Sequence, residues 1–186
     1  MKLLIAMTGA SGAIYTQRLL DNLDSRKHDI SFIETRHARE VAQLELPKGE
    51  LVMNPRVKQY DESDSMFVPF VSGSVKFDAM VIIPASMGTI GRIANGVSDT
   101  TIARAADVFL KERRKLIIVP RESPFNLIHL RNMATLTEAG ATIIPASPSF
   151  YSQPKTIPEL VDTIIARVLD HLGIEHKLVK RWQSTE

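Results

Sequence analysis

The chain opens with an apolar run, Leu3-Leu4-Ile5-Ala6-Met7, that stops abruptly at Thr8-Gly9-Ala10-Ser11-Gly12-Ala13. A short apolar run bounded by glycines reads as a buried strand ending in a tight turn. Tyr15, Leu19, Leu20 and Leu23 follow at helical spacing, so the turn delivers the chain onto a helix N-terminus. Gly9 and Gly12 remove side chains where a ligand must approach the backbone. The free N–H groups and the positive end of the helix dipole face the same point, which suits an anion. Ser11 adds a hydroxyl there. A plain strand-to-helix turn in a doubly wound sheet has the same appearance, so the remaining segments must decide.

Those segments repeat the alternation. Asp29 to Glu34 reads as a second strand, with Thr35 placed to cap a helix whose apolar face is Val41, Ala42 and Leu46 and which Pro47 and Gly49 end. Residues 50 to 76 read as a loop with edge structure, an acidic patch at Asp61, Glu62 and Asp64, and a short strand from Met66 to Val71. Ala79 to Ile83 has no polar alternation, as in a strand covered on both faces, and stops at Pro84. Ala85-Ser86-Met87-Gly88-Thr89 then leads into a short helix closed by Gly96. Ser98 or Asp99 is placed to cap the next helix, with Ile102, Ala105, Ala106 and Phe109 inside. Leu116 to Val119 is a strand ended by Pro120. A helix from about Asn126 to Ala139 and a last strand, Ala141 to Ile144, follow. Thr156 and Glu159 form a T-x-x-E capping box for a final helix that Gly173 terminates. The pattern predicts an α/β fold: a single-domain, Rossmann-like, doubly wound and mainly parallel sheet with helices on both faces, spanning residues 1–186. The C-terminal helix and tail, 156–186, are expected to pack at the site or at an oligomer interface.

Composition narrows the function. The absence of cysteine removes disulfides, thiolate metal sites and cysteine nucleophiles. A net charge of +2 is too small to argue for nucleic acid. No segment reaches the roughly 20 apolar residues of a membrane span. The five histidines show no metal-ligand spacing, and His129 reads as a packed or capping residue. A cytoplasmic protein with no metal, nucleic-acid or membrane partner is expected.

In a doubly wound sheet ligands lie outside the carboxyl ends of the strands, so Gly9 to Ser11, Thr35, Ser86 to Thr89 and Arg121 should border one crevice. Its donors suit a mononucleotide. The full G-x-G-x-x-G spacing and the Gly-Lys-Ser/Thr of a P-loop are both missing. Tyr151 with Arg167 could clamp a phosphate, although sequence alone favours Arg167 as a solvated charge on an amphipathic helix. Lys111 to Lys115 has the same ambiguity. Glu122 is the carboxylate best placed for proton transfer and Glu45 the next. Arg104 and Asp107 are spaced for an intrahelical pair.

Taken together the segments resemble the UbiX-type flavin prenyltransferases of the HFCD flavoprotein superfamily, formerly described as phenylacrylic acid or polyprenyl hydroxybenzoate decarboxylases. The matching stretches are Met7 to Ala13, Pro84 to Thr89, Arg104 to Val108 with Leu110 to Arg114, Val119 to Pro124, and Pro148 to Tyr151 with Pro154. The resemblance runs from about residue 2 to Trp182. It implies transfer of a dimethylallyl group from dimethylallyl phosphate to N5 and C6 of reduced FMN, with the prenylated flavin passed to a UbiD-type decarboxylase. It implies flavin contacts from Gly9, Ala10, Ser11, Thr35, Ser86, Met87, Gly88, Thr89 and Arg121. It implies prenyl-phosphate contacts from Lys111, Arg121, Tyr151 and Arg167, with the lysine arriving from a neighbouring subunit of a homododecamer. Ser11, Glu45 and Glu122 are the catalytic candidates, the glutamates matching residues linked to proton transfer and site organisation.

Two departures qualify the match. Ala85 stands where many relatives have cysteine, and Ser65 stands near an aromatic residue that lines the prenyl site in some. An FMN-binding or storage protein of the same fold is therefore a second reading, which the intact phosphate set Lys111, Arg121, Tyr151 and Arg167 opposes. A flavin-dependent cysteine decarboxylase is a third, and only Met53-Asn54-Pro55 faintly matches its P-x-M-N-x-x-M-W segment.

Overall fold

The computed structural model describes residues 1–62 and 67–180. Among these residues, strands β1 (Lys2–Met7), β2 (Asp29–Glu34), β3 (Lys58–Asp61), β4 (Ala79–Ala85), β5 (Lys115–Pro120) and β6 (Thr142–Ile143) form one sheet in the order β3-β2-β1-β4-β5-β6. Every pairing is parallel. Helices α1 (Ala13–Asp21), α2 (Arg36–Glu45), α3 (Met87–Ala94), α4 (Thr101–Lys111), α5 (Leu127–Glu138) and α6 (Ile157–Leu172) make the connections. The order reverses between β1 and β4, which opens a crevice at their carboxyl ends.

Strand β1 shows why its residues had to be apolar throughout. Leu3, Ile5 and Met7 pack into a core shared with α1 and α6, while Leu4 and Ala6 face a second core built with α3 and α4. Covered on both faces, such a strand has no position left for a polar side chain. Burying one leucine or isoleucine contributes roughly 1.5–3 kcal/mol, so a charge at any of these positions would break the sheet at its centre. Helix α6 lies against α1, and Arg18 donates from Nε and Nη2 to the two carboxylate oxygens of buried Asp162, at 2.8 and 2.6 Å.

Four local readings change. Strand β4 runs through Pro84 to Ala85, because the missing N–H of Pro84 falls where the register with β5 shifts. The cap of α4 is Thr100, whose hydroxyl accepts from the N–H of Ala103, while Asp99 pairs with Arg92. The stretch expected as a strand up to Val71 holds a 3-10 turn, Pro69–Val71, and Met66 lies outside the described residues. The edge strand is instead β3, whose Lys-Gln-Tyr-Asp sequence carries almost no apolar signal. At α6 Thr156 caps the N–H of Glu159 as expected, but the Glu159 carboxylate accepts from Lys155 N–H, so the box does not close on Thr156. A closed box occurs at α5, where Asn126 accepts from His129 N–H and the His129 ring accepts from Asn126 N–H. His129 is thus a capping residue.

Candidate active site

The first loop is locked from two sides. Gly12 sits at φ 115°, and a Cβ there would lie 2.8 Å from the Tyr15 ring, so only glycine fits. A Cβ on Gly9 would lie 2.6 Å from Cβ of His37, which lets α2 pass directly over the loop. At the other end of α2, Glu45 Oε2 accepts from the N–H groups of Gly12 and Ala13, both at 2.8 Å. The helix N-terminus read as an anion site does hold an anion, and that anion is the chain's own Glu45. Its two leading N–H groups are thereby engaged within the chain.

Burial tends to raise the Glu45 carboxyl, but the Ser11 hydroxyl, the Gly12 and Ala13 N–H groups and Arg121 together hold it below its usual range. Glu45 is therefore ionised at neutral pH and draws the Ser11 hydroxyl toward itself as a donor. Arg121, at the end of β5, donates from Nε to the Ser11 carbonyl at 2.9 Å. The backbone N–H of Arg121 donates to the carbonyl of Ala85, joining the ends of β5 and β4. Burial pushes the Tyr15 phenol up, and nearby Arg121 partly offsets this.

One residue that ties these loops was not anticipated. Thr8 is fully buried, donates from Oγ1 to the Pro84 carbonyl at 3.0 Å, and accepts from the Ser86 N–H at 2.8 Å. A lone threonine ending an apolar strand was the available signal. Next to it Ser86 caps α3, with its hydroxyl 3.1 Å from that of Thr89. Thr35 caps α2 by accepting from Ala38 N–H. The first turns of α2 and α3, each led by a hydroxyl cap, and the guanidinium of Arg121 are thus left at the carboxyl edge. This donor set fits a flavin mononucleotide, whose phosphate is a dianion and whose ring needs hydroxyl and amide partners.

The remaining candidates divide. Ala10 is buried at the base of the loop, and the Met87 side chain is buried in the second core, so only their backbones could face a ligand. Gly88 is exposed at the start of α3. Glu122, next to Arg121, is exposed and accepts from Ser123 N–H. Ala85 is fully buried in the second core, so a side chain there does not line the crevice. Ser65, Asp64 and Trp182 lie outside the described residues. Tyr151 is exposed in the loop between β6 and α6.

The loop that carries Tyr151 turns back along α6, where the N–H of Ser149, two residues before Tyr151, donates to Thr163 Oγ1 at 3.1 Å. Arg167 follows Thr163 by four residues, about 6 Å along the helix at 1.5 Å per residue, so one chain brings Tyr151 and Arg167 to the same stretch of α6. Arg167 is exposed and paired with Asp170. Beyond it the carbonyl of His171 accepts from Nζ of Lys115, the first residue of β5, which places this end of α6 at the amino edge of the sheet. Lys111, four residues before β5, lies toward the same edge and pairs with Glu112 at 3.3 Å. Arg104 and Asp107 form the expected intrahelical pair, at 2.9 Å.

Comparison with known proteins accounts for this arrangement. The Flavoprotein family model matches residues 1–169. The chain is 46% identical to flavin prenyltransferase UbiX of Methanocaldococcus jannaschii over 182 residues, 98% of each chain. It also resembles the crystal structure of a dodecameric FMN-dependent UbiX-like decarboxylase from Escherichia coli O157:H7. That match has TM-score 0.90 and 38% identity, covering 99% of this chain and 100% of that one. A UbiX protein solved in complex with FMN and dimethylallyl pyrophosphate matches with TM-score 0.90 and 35% identity, over 100% of this chain and 98% of that one. With a full-length match in sequence and the same parallel sheet in structure, this chain belongs to the UbiX flavin prenyltransferase family of flavoproteins.

Proposed function

We propose that this protein joins a dimethylallyl group from dimethylallyl phosphate to N5 and C6 of reduced FMN. The observation that carries the reading is the Ser11–Glu45–Arg121 cluster at the sheet's carboxyl edge, in a chain 46% identical to a flavin prenyltransferase. Reduced flavin supplies the electron-rich ring that takes the allyl carbon as the ester C–O bond breaks and its electron pair leaves on phosphate. The protein's task is to hold the departing phosphate and keep the ring in register. Arg121 and Tyr151 offer a guanidinium and a phenol at the carboxyl edge, and Lys111 and Arg167 offer two further cations. Glu45, ionised, fixes the direction of the Ser11 hydroxyl, and Glu122 is a second carboxylate for proton movement. Thr35, Ser86, Gly88 and Thr89, with the backbones of Gly9, Ala10 and Met87, hold the flavin.

Lys111, near the end of α4 and toward the amino edge of its own sheet, reaches the crevice from another copy of the chain in this reading. A dodecameric relative supports a homo-oligomer. So does α5, where Leu127, Ile128 and Leu130, with Phe125 just before it, are exposed apolar side chains that water would leave uncovered. In this reading residues 1–186 act as one flavoprotein unit, with the segment from 156 onward at subunit junctions. The prenylated flavin passes to a UbiD-type decarboxylase. Among the described residues no helix is long and apolar enough to cross a membrane.

The test is to incubate the purified protein anaerobically with reduced FMN and dimethylallyl phosphate and to weigh the released flavin. A gain of one C5 unit is expected. Tightly bound but unmodified FMN, with both the monophosphate and the diphosphate, would leave a flavin-storage protein.

A further inference from the structure

Arg167 and Asp170 share one face of α6, and Asp170 Oδ2 accepts from the Arg167 guanidinium at 3.1 Å. An exposed pair of this spacing contributes little by itself. Here, however, the carboxylate is held from behind. Gly173, at φ 75°, ends α6 and turns the chain back, and Ile174 and Leu178 anchor the returning segment on the main core. That return brings His176 under Asp170, with Nε2 3.2 Å from Oδ1. The His176 side chain is 6% exposed, against 60% for Arg167. Its Nδ1 accepts from Leu178 N–H at 3.4 Å, so Nε2 carries the proton and donates it to Asp170. A buried ring fixed at both nitrogens therefore holds one carboxylate oxygen, and the other oxygen aims an exposed arginine. Arg167 and Asp170 line a depression of about 450 Å³ with Gly173, Ile174 and Glu175, so the aimed guanidinium borders a concave surface.

We propose that Asp170, held by His176, is a positioning residue that presents the Arg167 guanidinium to the prenyl phosphate. This rests on the reading of Arg167 as a phosphate ligand. Fixing a long arginine before the phosphate arrives lowers the conformational cost of binding, which is where a preorganised pair acts. The opposite role is also physically defined. A carboxylate beside Arg167 damps its positive charge, and removing it would then tighten phosphate binding.

The direction of the change in KM separates the two roles. Steady-state kinetics on the assembled protein, varying dimethylallyl phosphate at saturating reduced FMN, should be run for Arg167→Ala, Asp170→Ala, Asp170→Asn and His176→Phe. Arg167→Ala is expected to raise KM for the prenyl phosphate roughly tenfold or more. Asp170→Ala should raise it roughly three- to fivefold, with kcat and KM for FMN unchanged. Asp170→Asn, which keeps one oxygen acceptor, should lie between Asp170→Ala and the parent. His176→Phe, which keeps the apolar volume but loses both hydrogen bonds, should move KM in the same direction as Asp170→Ala. A fall in KM, or no change, in Asp170→Ala alongside a clear rise in Arg167→Ala overturns the positioning role. An unchanged KM in Arg167→Ala instead removes Arg167 from the phosphate site, and the inference with it. Should His176→Phe fail to fold, the solvent-accessible Asp170 variants decide the matter alone.

Discussion

At the carboxyl edge of the sheet Arg121, Ser11 and Glu45 are tied to one another across three elements of a single chain. Lys111, toward the amino edge, and Arg167, on α6, are by contrast exposed and paired with carboxylates one and three residues further along. The first group is fixed by hydrogen bonds to backbone that could not move without opening β1. The second is held by pairs that contribute at most about 1 kcal/mol each and leave the cations open to a further anion. In the proposed reading the contrast separates a flavin side fixed within each chain from a phosphate side that waits for Lys111 from a neighbouring copy.

Arg121 stands at the junction of the two, and its loss should have the largest effect. Arg121→Ala removes the donor that fixes the Ser11 carbonyl together with a cation expected on the phosphate. A fall in kcat/KM of roughly 10³-fold follows if both roles are real. A fall of tenfold or less, measured with saturating FMN, would reduce Arg121 to a loop tie.

Subunit mixing addresses the contrast directly. Glu45→Gln and Lys111→Ala should each lose roughly 10²-fold in turnover. When the two variants are unfolded, mixed and refolded together, some sites receive Glu45 from one chain and Lys111 from another, and activity should return well above either parent. A mixture as inactive as its components would place both residues in one chain's site and erase the distinction between the edges.

Gly12→Ala in the carboxyl-edge loop and Gly140→Ala between α5 and β6 separate strain from collision. Both residues have positive φ, 115° and 100°, but only Gly12 has a ring within 3 Å of the new Cβ, whereas nothing lies within 4 Å at Gly140. Gly140→Ala should lose about 1 kcal/mol, the cost of the backbone conformation alone. Gly12→Ala should lose about 2–3 kcal/mol, since the Tyr15 ring must also shift. Thermal unfolding at matched protein concentration reads the difference. Equal losses would mean that Tyr15 yields freely.

The sequence pattern reached the strands that are buried on both faces and the helices with long apolar stripes, because periodicity reports burial. It missed β3, whose Lys58-Gln59-Tyr60-Asp61 is half exposed and pairs with β2 through backbone groups that no side-chain pattern reveals. The crevice was legible for a similar reason: a parallel sheet leaves its ligands at one edge, and that edge was already marked by Gly9, Ser86 and Arg121. Two things were not legible. One was which anion takes the N-terminus of α1, since Glu45 lies more than 30 residues from Gly12 and only the path of α2 brings them together. The other was the path of the loop that carries Tyr151, which meets α6 through Ser149 and Thr163, one turn before Arg167, a contact that no local pattern reveals.

The smallest effect tests the ionisation of Glu45. Its carboxyl sits below the usual range in the folded protein, because hydrogen bonds and Arg121 outweigh burial. The folded state therefore binds a proton less readily than the unfolded chain. The resulting stability is fully present above the unfolded carboxyl pKa of about 4.3 and is lost as pH falls through the lower folded value. Glu45 remains in contact with solvent, so the effect is screened to roughly 0.5–1 kcal/mol, the range for a carboxylate at a helix N-terminus. Glu45→Gln should thus be less stable than the parent by that amount in urea at pH 7, and the gap should close toward pH 3. A gap that instead widens in acid would mean that burial dominates and that Glu45 is protonated more readily in the folded state. The carboxyl edge would then present a neutral acid to the Ser11 hydroxyl, and the fixed anion that distinguishes it from the amino edge would be absent.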